Sequence, residues 1–197
     1  MRMYLMPNNP ERTTLVSVNG NVHYKVTTSR AHCLAPRVLH IRRPTDCERE
    51  GYVAEVVWRR LGGHPVVRSN MFDGRPLELG LREFLYQTNS SNMARNFLGN
   101  DGQEYRWKLH QGGGLALIHC SSKCEVARYT FDRVREGVFK KEDKWCLWIG
   151  PTTLDIDMVV FTFLIMEKWR RDRLAAENPK GKIAEEVSEG GCESGGS

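Results

Sequence analysis

Over most of this chain, apolar and polar residues alternate with a period of two, in runs of five to eight residues set between turn-forming clusters. That is the pattern of strands with one buried face. Thr13–Val18 and Val22–Thr28 flank Asn19-Gly20-Asn21, a hairpin signal because Asn-Gly accepts positive φ at little cost. Val38–Arg42, Tyr52–Arg59 and Pro65–Ser69 follow, then Leu77–Tyr86, which fits a strand or a short helix, and a weaker run at Met93–Leu98. The series continues with EYRWKLH (104–110), LALIHC (115–120), VARYTF (126–131) and KWCLWI (144–149). Around ten short strands without intervening helices predict a mainly β, antiparallel sandwich or barrel. Residues 1–12, with Pro7 and Pro10, read as a flexible lead.

The alternation stops at TTLDIDMVVFTFLIMEKWRRDR, residues 152 to 173, where only Thr162 interrupts the run Met158–Met166. Length and the helix-forming residues after it favour a helix over about 154–170. Thr152 and Asp155 are the expected capping pair, and Lys168, Arg170, Arg171 and Arg173 the expected C-terminal charges. The apolar residues point all the way round, unlike a helix lying on a sheet. Thirteen residues from Leu154 to Met166 rise only about 20 Å, short of the roughly 30 Å of a bilayer core. The reading that fits is a helix enclosed by a closed antiparallel β-barrel, with a membrane-associated helix and an oligomer interface as alternatives. Burying eight large side chains contributes about 12–24 kcal/mol gross.

Charge adds one contrast. The residues from Leu174 onward hold five glutamates and two lysines, a net −3 within a formal total of +5, so the preceding 173 residues carry +8. A basic body suits an anionic partner. The acidic Gly/Ser/Glu tail over 177–197 is expected to be disordered. Cysteines 33, 47, 120, 124, 146 and 192 form no C-x-x-C pair, and the N-terminus shows no apolar signal core. An intracellular, cytoplasmic protein with one domain over 13–176 is therefore expected.

YVAEVVW (52–58), RNFLGNDGQEYRWK (95–108), VARYTF (126–131) and LDIDMVVFTFLIMEKWRRDR (154–173) together resemble an uncharacterised domain family of mushroom-forming fungi. That family is similar to the Tubby C-terminal-like superfamily, which includes phospholipid scramblases and plant LURP-type proteins. The resemblance covers roughly residues 13 to 173 and implies a barrel of about twelve strands around a central C-terminal helix. Tubby-type relatives bind phosphoinositides through a basic pocket, which implies a peripheral anionic membrane lipid as partner. Scramblase hallmarks are missing: there is no Pro-rich N-terminal segment, no palmitoylation cysteine cluster and no acidic calcium loop.

Candidate chemistry is sparse. His110, His119, Cys120 and Cys124 are metal-ligand types, but adjacent strand residues 119 and 120 face opposite ways. Structural roles are expected for them, with no metal or cofactor. A Cys–His nucleophile pair has no local sequence support. No P-loop, G-x-S-x-G, H-E-x-x-H or dinucleotide fingerprint occurs. The expected activity is a non-enzymatic binding module for anionic phospholipid headgroups. A protein-interaction or stress-response scaffold and an enzyme at the barrel rim are the rivals, and nucleic acid is not expected. Candidate ligand contacts are Arg106, Lys108 and Arg128 on strands, with Lys168, Arg170 and Arg171 on the helix.

Overall fold

The computed structural model describes residues 1–33, 35–45, 51–59, 63–71, 77–88 and 93–177. The segment expected as a tail beyond 177, with Cys192, lies outside the described residues, as does Cys47. Twelve strands run along the chain: β1 (Arg2–Met6), β2 (Thr13–Ser17), β3 (Val22–Ser29), β4 (Arg37–Arg42), β5 (Tyr52–Trp58), β6 (Val66–Ser69) and β7 (Leu77–Gly80), then β8 (Arg95–Leu98), β9 (Glu104–Leu109), β10 (Leu115–His119), β11 (Glu125–Arg133) and β12 (Asp143–Ile149). A one-turn helix α1 (Leu81–Phe84) follows β7, and α2 (Ile156–Glu177) ends the described chain. All strands join one antiparallel sheet in the order β7-β6-β5-β4-β3-β2-β1-β12-β11-β10-β9-β8.

Two expectations change here. Residues 1–12 are not a loose lead: β1 sits mid-sheet, pairing β2 and β12. Met3 and Leu5 point into the main core, while Tyr4 faces out under the segment after β11. RMYLM is apolar at all four positions after its arginine and shows no alternation, so beside two prolines it did not stand out as a strand. The second change concerns closure. The ladder ends at β7 and β8, so hydrogen bonds do not close a barrel. Leu77–Tyr86 is part strand and part helix, and Tyr86 then makes a two-way backbone pair with Asn96 of β8 (3.0 and 2.8 Å).

The sheet nevertheless surrounds α2, because Met158 through Met166 are all fully buried. Trp107 Nε1 donates to Thr162 Oγ1 (2.9 Å), which itself donates to the Met158 carbonyl (2.8 Å). The one polar side chain in the run is thereby satisfied, as burial demands. The helix begins two residues later than expected. Asp155 is the cap, its Oδ1 accepting from the Asp157 amide (2.9 Å), while Thr152 Oγ1 accepts from Leu154 in the preceding turn. Asp157 is buried and accepts from Tyr24 Oη (2.7 Å) and Arg43 Nε (2.9 Å), fixing the helix start to β3 and the end of β4. No helix among the described residues is long and apolar enough to cross a membrane.

Candidate anionic-ligand site

Strand alternation sorts the basic residues of β9. Tyr105 and Trp107 fill the interior, leaving Glu104, Arg106 and Lys108 on the outer surface. The register sets Arg106 opposite Ile118 and Lys108 opposite Ala116 on β10, and Ala116 in turn opposite Arg128 on β11. Arg106 and Lys108 therefore share one outward face with Arg128, two strands away from Lys108. A cavity of about 370 Å³ opens on this face, lined by Glu104, Arg106, Lys108, Ile118, Cys120 and Lys123 among others.

Lys123 was missed in the sequence. It lies in the turn between β10 and β11 with φ of +61°, held by its amide hydrogen bond to the His119 carbonyl (2.9 Å). A Ser-Ser-Lys turn gives no hint that its lysine folds back over the previous hairpin. Glu104 is the one carboxylate in the cavity wall, and its Oε1 already accepts from Tyr86 Oη (2.6 Å) and Asn96 Nδ2 (2.8 Å). Those bonds, Tyr86 first, hold its pKa below the ordinary value, and burial with Glu104 pushes the Tyr86 hydroxyl up to about 12. Arg106 is oriented by Nε donating to Asn96 Oδ1 (2.9 Å). Arg128 is paired with Glu125 (2.7 Å), and Lys108 is exposed.

The helix candidates belong to a different part of the molecule. Because α2 runs on to Glu177, its last turn has no basic residue, and the cluster is not a set of C-terminal charges. Arg170 and Arg171 both grip the fully buried Glu167 at 2.7 Å. Arg171 also donates to the Asn8 carbonyl (2.6 Å) and to Asn8 Oδ1 (2.7 Å), an oxygen shared with Tyr129 Oη. Lys168 pairs with Asp172 (2.7 Å) and lies 5.1 Å from the Trp58 ring centroid. These three residues tie α2 to the N-terminal segment and the sheet, and are removed from the candidate ligand contacts.

His119 packs its ring 5.2 Å from Tyr105 on the inner side, whereas Cys120 opens on the outer cavity, so the two face apart. Burial, then Glu104, raises the Cys120 thiol pKa. Among the described residues no three His, Cys, Asp or Glu side chains are grouped to hold a metal. The DGQEYRW stretch has a structural task. Asp101 Oδ2 accepts from Tyr105 Oη (2.7 Å) and Thr153 Oγ1 (2.6 Å), and Asn100 Oδ1 accepts from the Asp155 amide (3.0 Å). The β8–β9 turn thus holds the start of α2.

The class defined by this geometry is a mainly β protein whose sheet wraps a C-terminal helix and carries a cationic cavity on its outer face. Residues 8–172 match a family described as a family of unknown function, DUF6593, and the chain belongs to that family. No curated protein and no solved structure matches it.

Proposed function

We propose that this protein is a non-enzymatic binding module whose site is the outer cavity of β9 and β10. Its ligand on this reading is the phosphorylated headgroup of an anionic phospholipid, such as a phosphoinositide. The observation that carries the reading is the convergence of Arg106, Lys108 and Lys123 on one cavity whose sole acid, Glu104, is already engaged. Arg106 is held in place before any ligand arrives, so little side-chain entropy is lost on binding, and guanidinium pairs well with phosphate. The raised Cys120 thiol is the reverse of what a nucleophile needs, which supports binding over catalysis at this cavity. The arrangement of twelve strands about a C-terminal helix supports reading the fold as a Tubby-like barrel, with the Tyr86–Asn96 pair spanning its seam.

Titration calorimetry with a soluble inositol polyphosphate at low and physiological salt tests this directly. The expected result is binding that weakens with salt and is lost in the Arg106→Glu, Lys108→Glu, Lys123→Glu triple variant. Wild-type protein that gives no heat even at low salt rules the reading out.

A further inference from the structure

A second cavity lies beside the cationic one. It holds about 380 Å³ and opens at the seam between β7 and β8, the two ends of the ladder. Leu79 comes from β7, Phe84 from α1 and Leu98 from the end of β8, and Met71 and Tyr86 complete an apolar wall. The inner side of this cavity is core, because Phe84 is 6% exposed and stacks on Phe161 of α2 at 5.5 Å. Its mouth is not: Leu98 is 59% exposed and Tyr86 37%. One exposed leucine is ordinary, but this one borders an apolar hollow that leads inward.

The two cavities share a lip. Leu98 stands opposite Glu104 across β8 and β9, and Tyr86 Oη donates to the Glu104 carboxylate (2.6 Å). Glu104 therefore borders the cationic cavity on one side and Leu98 and Tyr86 on the other. With adjacent strands about 4.8 Å apart, the apolar mouth begins one strand away from the bases of β9.

The chemistry of the two walls differs. Arg106, Lys108 and Lys123 line the first cavity with Glu104, whereas Glu83 is the one charged residue in the wall of the second. Asn100, also in that second wall, has its Oδ1 engaged by the Asp155 amide (3.0 Å). An anionic group would meet only an acid there. An alkyl chain needs no hydrogen-bond partner and gains by leaving water. A ligand that satisfies both cavities at once is an amphiphile, with its phosphate over β9 and its apolar end in the seam.

We infer that the seam cavity receives one acyl chain of the same phospholipid whose headgroup occupies the outer cavity. The chain crosses the Glu104 lip, covers Leu98 and Tyr86, and ends towards Phe84. The inference rests on the headgroup reading above and extends it, from docking on a membrane surface to lifting part of a lipid out of it.

Calorimetry with phosphatidylinositol phosphates of increasing chain length, each below its micelle concentration, tests this beside soluble inositol polyphosphate. Two methylenes added to the buried chain should tighten binding about tenfold. Leu98→Asn, at an exposed position, should lose most of that gain while keeping the wild-type melting temperature and inositol polyphosphate affinity. A phosphatidylinositol phosphate with a photoreactive group at the end of its chain should label Met71, Leu79 or Phe84. Affinity that ignores chain length while inositol polyphosphate still binds overturns the inference and leaves the headgroup reading standing. No binding of either ligand overturns both. Labels that avoid the seam residues overturn the inference, as does diacylglycerol held as tightly as the phosphorylated lipid, which would uncouple the two cavities. A dimer that Leu98→Asn dissolves would make the seam a contact between two copies and overturn it as well.

Discussion

Thr162 and Asp101 show how single side chains decide local structure here. A hydroxyl in the middle of an apolar helix is tolerable because Trp107 across the interior needs an acceptor for its indole N–H. Asp101 serves the turn in the same way, gathering donors from Tyr105, Thr153 and the Gln103 amide. Partial burial alone would raise its carboxyl pKa, but the bonds from Thr153, Tyr105 and the backbone outweigh this and lower it. A carboxyl with a depressed folded-state pKa adds stability above its unfolded value, near 3.9, and loses it as pH falls through the folded value. The Asp101→Asn variant should therefore melt about 2–4 °C below wild type at neutral pH, with the gap closing below about pH 4. Melting curves across that range check it, and a gap that persists in acid contradicts the assignment. None of these pairings was legible in the sequence. The motif around residues 101–107 stood out there, but its partner Thr153 lies 52 positions from Asp101, and only the fold brings them together.

At the level of elements, α2 and β1 mark the two extremes of legibility. The existence of α2 followed from length and from an apolar circumference, and its burial from the shortfall against a bilayer. Its ends did not follow, because Asp155 and Thr152 are both good caps and the arginines looked like a stop. In the fold they are engaged instead by Glu167 and Asn8. Val160→Asp or Phe163→Asp places a carboxylate where both native side chains are wholly enclosed, a burial that costs several kcal/mol without a partner. Neither variant should give soluble, cooperatively melting protein. Normal yield with a wild-type melting temperature would refute the enclosure. β1 was overlooked since five residues next to two prolines carry little pattern, yet its place between β2 and β12 makes it central. Removing Met1–Met6 leaves both neighbours with a bare edge. The truncated chain should aggregate or lose its cooperative transition on calorimetric scanning.

Viewed whole, the molecule owes its β-rich architecture to signals readable along the chain, because period-two alternation and turn residues are local. The β2–β3 hairpin about Asn19-Gly20 was also readable, but the order and register of the strands beyond such local hairpins were not. Arg106 and Lys108 were placed together correctly by alternation within one strand, but Lys123 joined them only through the β9–β10–β11 register. Lys168, Arg170 and Arg171 were grouped with them on charge alone, and the fold sends those side chains to the opposite task of binding the chain to itself.

The element that fills the interior is also the last described element of the chain. During synthesis the strands emerge first, so every wall exists before the plug that gives it an inside. Among the described residues β7 and β8 share no ladder, only the backbone bridge of Tyr86 and Asn96, so α2 has a lateral way in and need not be threaded end-on. Nascent chains stopped short of Ile156 would carry a complete set of strands and no core, in a form suited to chaperones and proteases more than to any ligand.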